Sequence, residues 1–236
     1  MEERFFVRGR DRPVQEAALN LTVARLLKQQ LEAAGVTVVL TKNNFQPVTD
    51  KRPEDFHTQA EREVPASEDD ANRADAVRKR QELLFYRTAE ITARARLVNE
   101  RLKPDLTICL HFNAVEWNDC HDLVDDNRLV VFIHGDYLPG ELADDDQKLQ
   151  LFQKLLEGSH PVEWSVAEAL AASLARATGL LPAVRPRNLA ANRLYNGPVV
   201  YLEPYYMNNR TVYQRLQVGD CDGGREVVGR PVEGIF

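Results

Sequence analysis

The sequence predicts an α/β fold of three layers, with a mostly parallel sheet and helices on both faces. Two observations carry this. Amphipathic helical stretches alternate with short apolar runs. Those runs are apolar throughout instead of alternating, the pattern of strands covered on both faces. With 236 residues, 44% hydrophobic and 28% charged, the chain has the size and balance of one ordinary globular domain. A single domain over 1–236 is expected, with a charged surface insertion at about 42–85.

The first helix is read from Val14, Ala17, Leu21, Ala24, Leu27, Leu31 and Ala34, which recur at three- and four-residue steps. Gly35 is placed to terminate it. The β-branched run VTVVLT, Val36 to Thr41, predicts a strand. From Lys42 to about Arg80 the chain turns polar, with prolines and charges of both signs, and reads as a surface excursion that ends in helix. A second helix is expected from about Leu83 to Leu102, with Ile91, Ala95, Val98 and Leu102 on one face. LTICL, from Leu106, follows as a buried strand ending at His111, with Cys109 as a small core residue on it. Residues Trp117 to Asn127 form an acidic loop, where Trp117 is a candidate wall for a glycan groove and His121 sits among aspartates. LVVFIH, Leu129 to His134, is another strand. Asp144 to Leu156 has an acidic start and apolar spacing, as a helix would. Pro161 opens a further helix, stopped by Gly179, with His160 expected as its N-cap or as a loop residue. The Pro- and Arg-rich stretch that follows reads as loop, PVVYLE from Pro198 to Glu203 as a strand, and Tyr206 to Leu216 as a short helix. The tail from Gly219 to Gly234 is glycine-rich and aperiodic.

A net charge of −6 argues against a nucleic-acid partner. No apolar run reaches the roughly 18 residues of a membrane span, and MEERFFVRGRDRP carries charges where an export signal has its apolar centre. The three cysteines are too few and scattered for a disulfide framework or a Cys-rich zinc site. The first helix has no strand ahead of it and the chain stops at an apolar Gly234-Ile235-Phe236, so both ends are expected to be cut short.

Three residues draw attention as chemistry. In open α/β sheets the binding crevice lies beyond the carboxyl ends of the strands, where His111 and Glu203 fall. Glu16 opens the first helix. A histidine with carboxylates at such ends is zinc-ligand chemistry, although a glutamate in a first helical turn also complements the helix dipole, and a lone histidine is commonly a core or loop residue.

Three separated stretches resemble the zinc-dependent N-acetylmuramoyl-L-alanine amidases, the peptidoglycan-cleaving amidase type 3 family: EAALNLTVARLLKQQLEAAGVTVVLTK, RARLVNERLKPDLTICLHFNA and RPRNLAANRLYNGPVVYLEPYYMNN, in the family's order. The resemblance implies an amidase/exopeptidase-like fold, with Glu16 and His111 as zinc ligands and Glu203 as the catalytic carboxylate. It implies supporting positions at Arg94, Asn99, Asn113 and Asn209. It implies Zn2+ as cofactor, peptidoglycan muropeptide as substrate, and a periplasmic or extracellular full-length protein. One departure is plain: the family's first zinc histidine lies upstream of the glutamate, and here no histidine precedes His57. The missing ligand implies a truncated chain of reduced activity; His134, at the end of its strand, is the candidate substitute. Two alternatives remain: a non-catalytic domain of the same fold that binds cell wall or a partner, and a zinc amidohydrolase or peptidase acting on another acyl-amino bond.

Overall fold

The computed structural model describes residues 5–6, 11, 14–66, 70–115, 123–217, 225–227 and 230–232. The chain divides into two compact units, one of Met1–Glu2 with Leu40–Lys103 and the other of Glu3–Val39 with Pro104–Phe236.

The smaller unit is helical. A 3₁₀ turn at Pro53–Phe56 leads into α2 (His57–Glu63), which packs on α3 (Asp70–Leu84) through Ala60, Val77 and Leu84. The helix continues from α3 through a π turn at Phe85–Glu90, α4 (Ile91–Arg96) and a second π turn at Leu97–Leu102, and stops at Lys103 with φ 45°. The sequence placed its start at about Leu83. The extra turns at its beginning are polar, but Asp75–Arg78, Asp75–Lys79 and Arg78–Glu82 pair at helical spacing and support them. The excursion expected at about 42–85 lies within this unit.

In the larger unit, β1 (Phe5–Phe6) pairs antiparallel with β2 (Val14–Gln15), which runs directly into α1 (Glu16–Ala33). Gly35, at φ 86°, follows α1 in the left-handed conformation expected of a terminating glycine. The strand expected at Val36–Thr41 does not form. No ladder pairs it among the described residues, and Val36 and Val39 lie exposed; β propensity needs a neighbour to bond.

The main sheet has four strands in the order β3 (Thr107–Leu110), β6 (Val199–Glu203), β4 (Leu129–Ile133), β5 (Pro182–Pro186). Pairs β3–β6 and β4–β5 are parallel and the central β4–β6 pair is antiparallel, so the α/β fold is built on a mixed sheet. β3 pairs on one side only among the described residues, so Cys109 is a half-buried residue of an edge strand, not a core residue of a central one. β5 was read as loop; its prolines at both ends are tolerable because β5 is also an edge.

Helix α5 (Asp145–Glu157) is capped by the Asp144 carboxylate, which accepts the Gln147 N–H. Helix α6 (His160–Thr178) ends at Gly179 with φ 72°. Ser159 occupies its N-cap position, so His160 is the first helical residue and caps nothing. Ala167 and Ala171 of α6 pack on Leu129, Val131, Ile133, Val200 and Leu202, the main core on one face of the sheet. Helix α7 (Ala190–Leu194), also read as loop, precedes β6; α8 (Arg210–Gln217) follows it. A short antiparallel pair, β7 (Arg225–Val227) and β8 (Arg230–Val232), completes the described elements. No helix is long and apolar enough to cross a membrane among the described residues.

Candidate active site

A second core sets the site. Val14, Phe112, Met207, Val212, Tyr213 and Leu216 pack together, with Leu19, Val23 and Leu123 against them. Val14 lies just before Glu16, Phe112 just after His111, and Met207 shortly after Glu203. The three chain segments that carry the candidate residues are thus locked by apolar side chains adjacent in sequence.

Register does the rest. β3 and β6 run parallel with Leu110 level with Leu202, and the His111 N–H continues the ladder to the Leu202 carbonyl at 2.9 Å. His111 and Glu203 therefore stand side by side at the carboxyl ends of neighbouring strands. The Glu16 Oε1 lies 2.8 Å from His111 Nδ1 and accepts the Phe112 N–H at 3.2 Å. Asn113 Nδ2 donates to Glu203 Oε2 at 3.1 Å. The Asn113 carbonyl accepts the Met207 N–H at 2.8 Å, tying the loop after β3 to the loop after β6. Glu16, His111, Asn113 and Glu203 are brought together as the sequence proposed.

Arg94 is in the smaller unit, where Nε and Nη2 both reach Glu90 Oε1 at 3.0 Å. Asn209 is buried and occupied structurally: Oδ1 accepts the Val212 N–H at 3.0 Å as a helix cap, and Nδ2 donates to the Asp125 and Asp126 carbonyls. It holds the loop that carries Asp125 and Asp126 to the start of α8. His134 ends β4, which runs against β6 with Val130 level with Glu203. It therefore sits four residues away along the strand, about 13 Å at strand rise, at the opposite end of the strands, and cannot join His111 as a ligand. His134 is buried, with Nε2 2.7 Å from the Tyr137 hydroxyl; burial, reinforced by Lys154, His160 and Arg193, lowers its pKa from 6.5 to about 4. Trp117, Cys120 and His121 lie outside the described residues.

Aromatic neighbours were missed. The His111 ring stacks on Tyr201, with centroids 4.3 Å apart and planes 10° from parallel, and Phe132 meets Tyr201 edge-on. Tyr201 precedes Glu203 by two residues, so strand alternation puts both on one face; that signal was in the sequence. Tyr206 bridges Asn113 through the backbone, and the Arg128 guanidinium lies 6.0 Å from its ring centre. Burial raises the Tyr206 phenol above its usual pKa; Arg128 opposes this and Asp126 and Glu203 add to it.

A catalytic zinc takes three protein ligands and one water. Glu16 and His111 carry donor atoms of the kind zinc takes, here hydrogen-bonded to each other at 2.8 Å. Among the described residues, however, no group of three or more His, Cys, Asp and Glu side chains is arranged to hold a metal. Among the described residues, Glu16 and His111 would supply two of the three protein ligands that such a zinc needs.

The chain belongs to the amidase type 3 family: a family model described as N-acetylmuramoyl-L-alanine amidase matches residues 7–222. A comparison with curated proteins finds no match. Solved structures similar to the chain include the catalytic domain of CwlV, an N-acetylmuramoyl-L-alanine amidase from Bacillus (Paenibacillus) polymyxa var. colistinus, at 16% identity over 86% of this chain and 73% of that one (TM-score 0.45). The CwlD amidase from Clostridioides difficile, solved in complex with the GerS lipoprotein, is similar at 14% identity over 90% and 81% (TM-score 0.48). The amidase AmiC2 of Nostoc punctiforme is similar at 16% over 86% and 73% (TM-score 0.46).

Proposed function

We propose that this chain is a peptidoglycan amidase that hydrolyses the amide between N-acetylmuramic acid and the L-alanine of the stem peptide. Family membership supports the class of substrate. The observation that carries the site is Glu203, held by Asn113 directly beside the Glu16–His111 pair. In this reading Glu203 takes a proton from the attacking water and passes it to the leaving amine, a general acid/base role worth typically 10²–10⁴-fold. Asn113 fixes one carboxylate oxygen so that the other is aimed consistently. Tyr201 holds the His111 ring in plane. Glu16 and His111 would contribute to a zinc site, and since that site is incomplete among the described residues no step is assigned to the ion. Such a substrate lies outside the cytoplasm.

One rival is a domain of the same fold that binds peptidoglycan without cleaving it. Incubation of the purified chain with muropeptides, with stem-peptide release followed chromatographically, separates the two. The amidase reading expects release, a loss of at least about 100-fold in Glu203→Gln, and unchanged co-sedimentation of that variant with peptidoglycan. Co-sedimentation without release, in wild type and variant alike, gives the site to the rival. Offering acylated amino acids in parallel tests whether another acyl-amino bond is the preferred one.

A further inference from the structure

Helix α5 is built inside out. Its inward residues are polar and engaged: Gln147 accepts from Asn188 Nδ2 at 2.7 Å, Gln150 accepts from Arg193 Nε at 2.7 Å, and the buried Lys154 donates to the Gly197 carbonyl at 2.7 Å. Its outward residues are large and apolar, with Leu149 57%, Phe152 60%, Leu155 66% and Leu156 89% exposed. Leu149, Phe152 and Leu156 fall at i, i+3 and i+7, the spacing of a seam between two helices. Val162 and Trp164, at the start of α6, are exposed as well. A contiguous patch of this kind marks an interaction surface.

We propose that α5 is the seam of a homodimer in which two copies pair antiparallel about a two-fold axis beside Gln153. The ends of the stripe decide for a second copy and for this direction. The start is acidic, with Asp144 at the cap and Asp145 and Asp146 in the first turn, Asp145 being paired with Lys148 at 2.7 Å. The far end carries no outward acid from Glu157, whose carboxylate accepts the Gly197 N–H at 2.9 Å. It leads instead to the exposed His160 and the positive N-terminal end of α6. An antiparallel pair sets Leu149 of each copy against Leu156 of the other and brings the acidic start of α5 to the His160 end of its mate. A parallel pair would set the two acidic starts against each other. The patch is thus self-complementary, as an isologous two-fold interface requires. This inference is independent of the catalytic reading.

Sedimentation velocity of the full chain from about 1 to 100 µM tests it. The expected result is a mass twice that of one chain, and Phe152→Asp with Leu156→Asp should weaken association at least tenfold. Gln153→Cys, near the axis, should gain an oxidative cross-link between copies beyond that of the parent chain, whereas the inward Gln147→Cys should not. A single-chain mass throughout, or a dimer indifferent to both aspartates, overturns the proposal. Absence of the Gln153→Cys cross-link overturns it even if the double variant misfolds.

Discussion

His134 shows how one buried side chain sets a pH dependence. Its pKa falls from 6.5 to about 4 on folding, because burial and nearby cations disfavour the imidazolium. Between those values the unfolded chain binds the extra proton and the folded chain does not, so stability rises with pH across the window and is level above it. As pH falls from 7 to about 4.5 the group should cost on the order of 2–3 kcal/mol. Urea unfolding of the wild type and His134→Gln at both pH values should show a smaller acid loss in the variant by about that amount. Equal losses would mean that His134 accepts its proton in place. A second residue-scale expectation concerns Phe112, which is buried beside His111 in the core that locks the site. Phe112→Ala should cost about 3–5 kcal/mol and lower turnover of muropeptide, read by thermal unfolding and by stem-peptide release.

At the scale of elements, the smaller unit hangs its loop on one carboxylate. Glu90 Oε2 accepts the Val48 N–H at 2.8 Å and the Thr49 N–H at 3.2 Å, while Oε1 takes Arg94 and lies 3.5 Å from Lys42 Nζ. Burial pushes its pKa up, but Arg94, the Thr49 N–H and Lys42 outweigh that and hold it below the usual value. Removing one partner of a buried ion pair typically costs about 3–5 kcal/mol. Glu90→Ala should therefore release the loop around Val48 and Thr49, seen as faster amide exchange at 42–50, with α3 protected as before. The same tie engages Arg94, whose guanidinium meets Glu90 four residues away, at helical spacing. Spacing on one helix was legible; which acid would claim the arginine was not, because Glu90 is fixed by contacts with a loop more than forty residues upstream.

For the whole molecule, what could be read from sequence was the part written locally. Apolar runs mark three of the four sheet strands, and Glu16, His111 and Glu203 at their element ends are the residues the fold brings together. Strand direction was not legible: LVVFIH looks the same running either way, and the antiparallel β4–β6 pairing is what removes His134 from the zinc question. Nor was the outward apolar face of α5, since periodicity shows that a helix is two-sided but not which side turns inward. A zinc site built on Glu16 and His111, the two candidate donors among the described residues, makes a definite expectation for metal binding. Structural zinc sites with full ligand sets bind with roughly 10–16 kcal/mol. Two donors should fall short of about 8 kcal/mol, weaker than about 1 µM. Calorimetric titration of zinc into the full chain, after chelator treatment, should therefore show weak binding that is lost in both Glu16→Ala and His111→Ala. Affinity well below micromolar Kd would mean that a donor from outside the described residues joins the pair. His121→Ala then tests the one histidine in that set: if the tight binding disappears with it, His121 is the third ligand and the amidase site is complete within this chain.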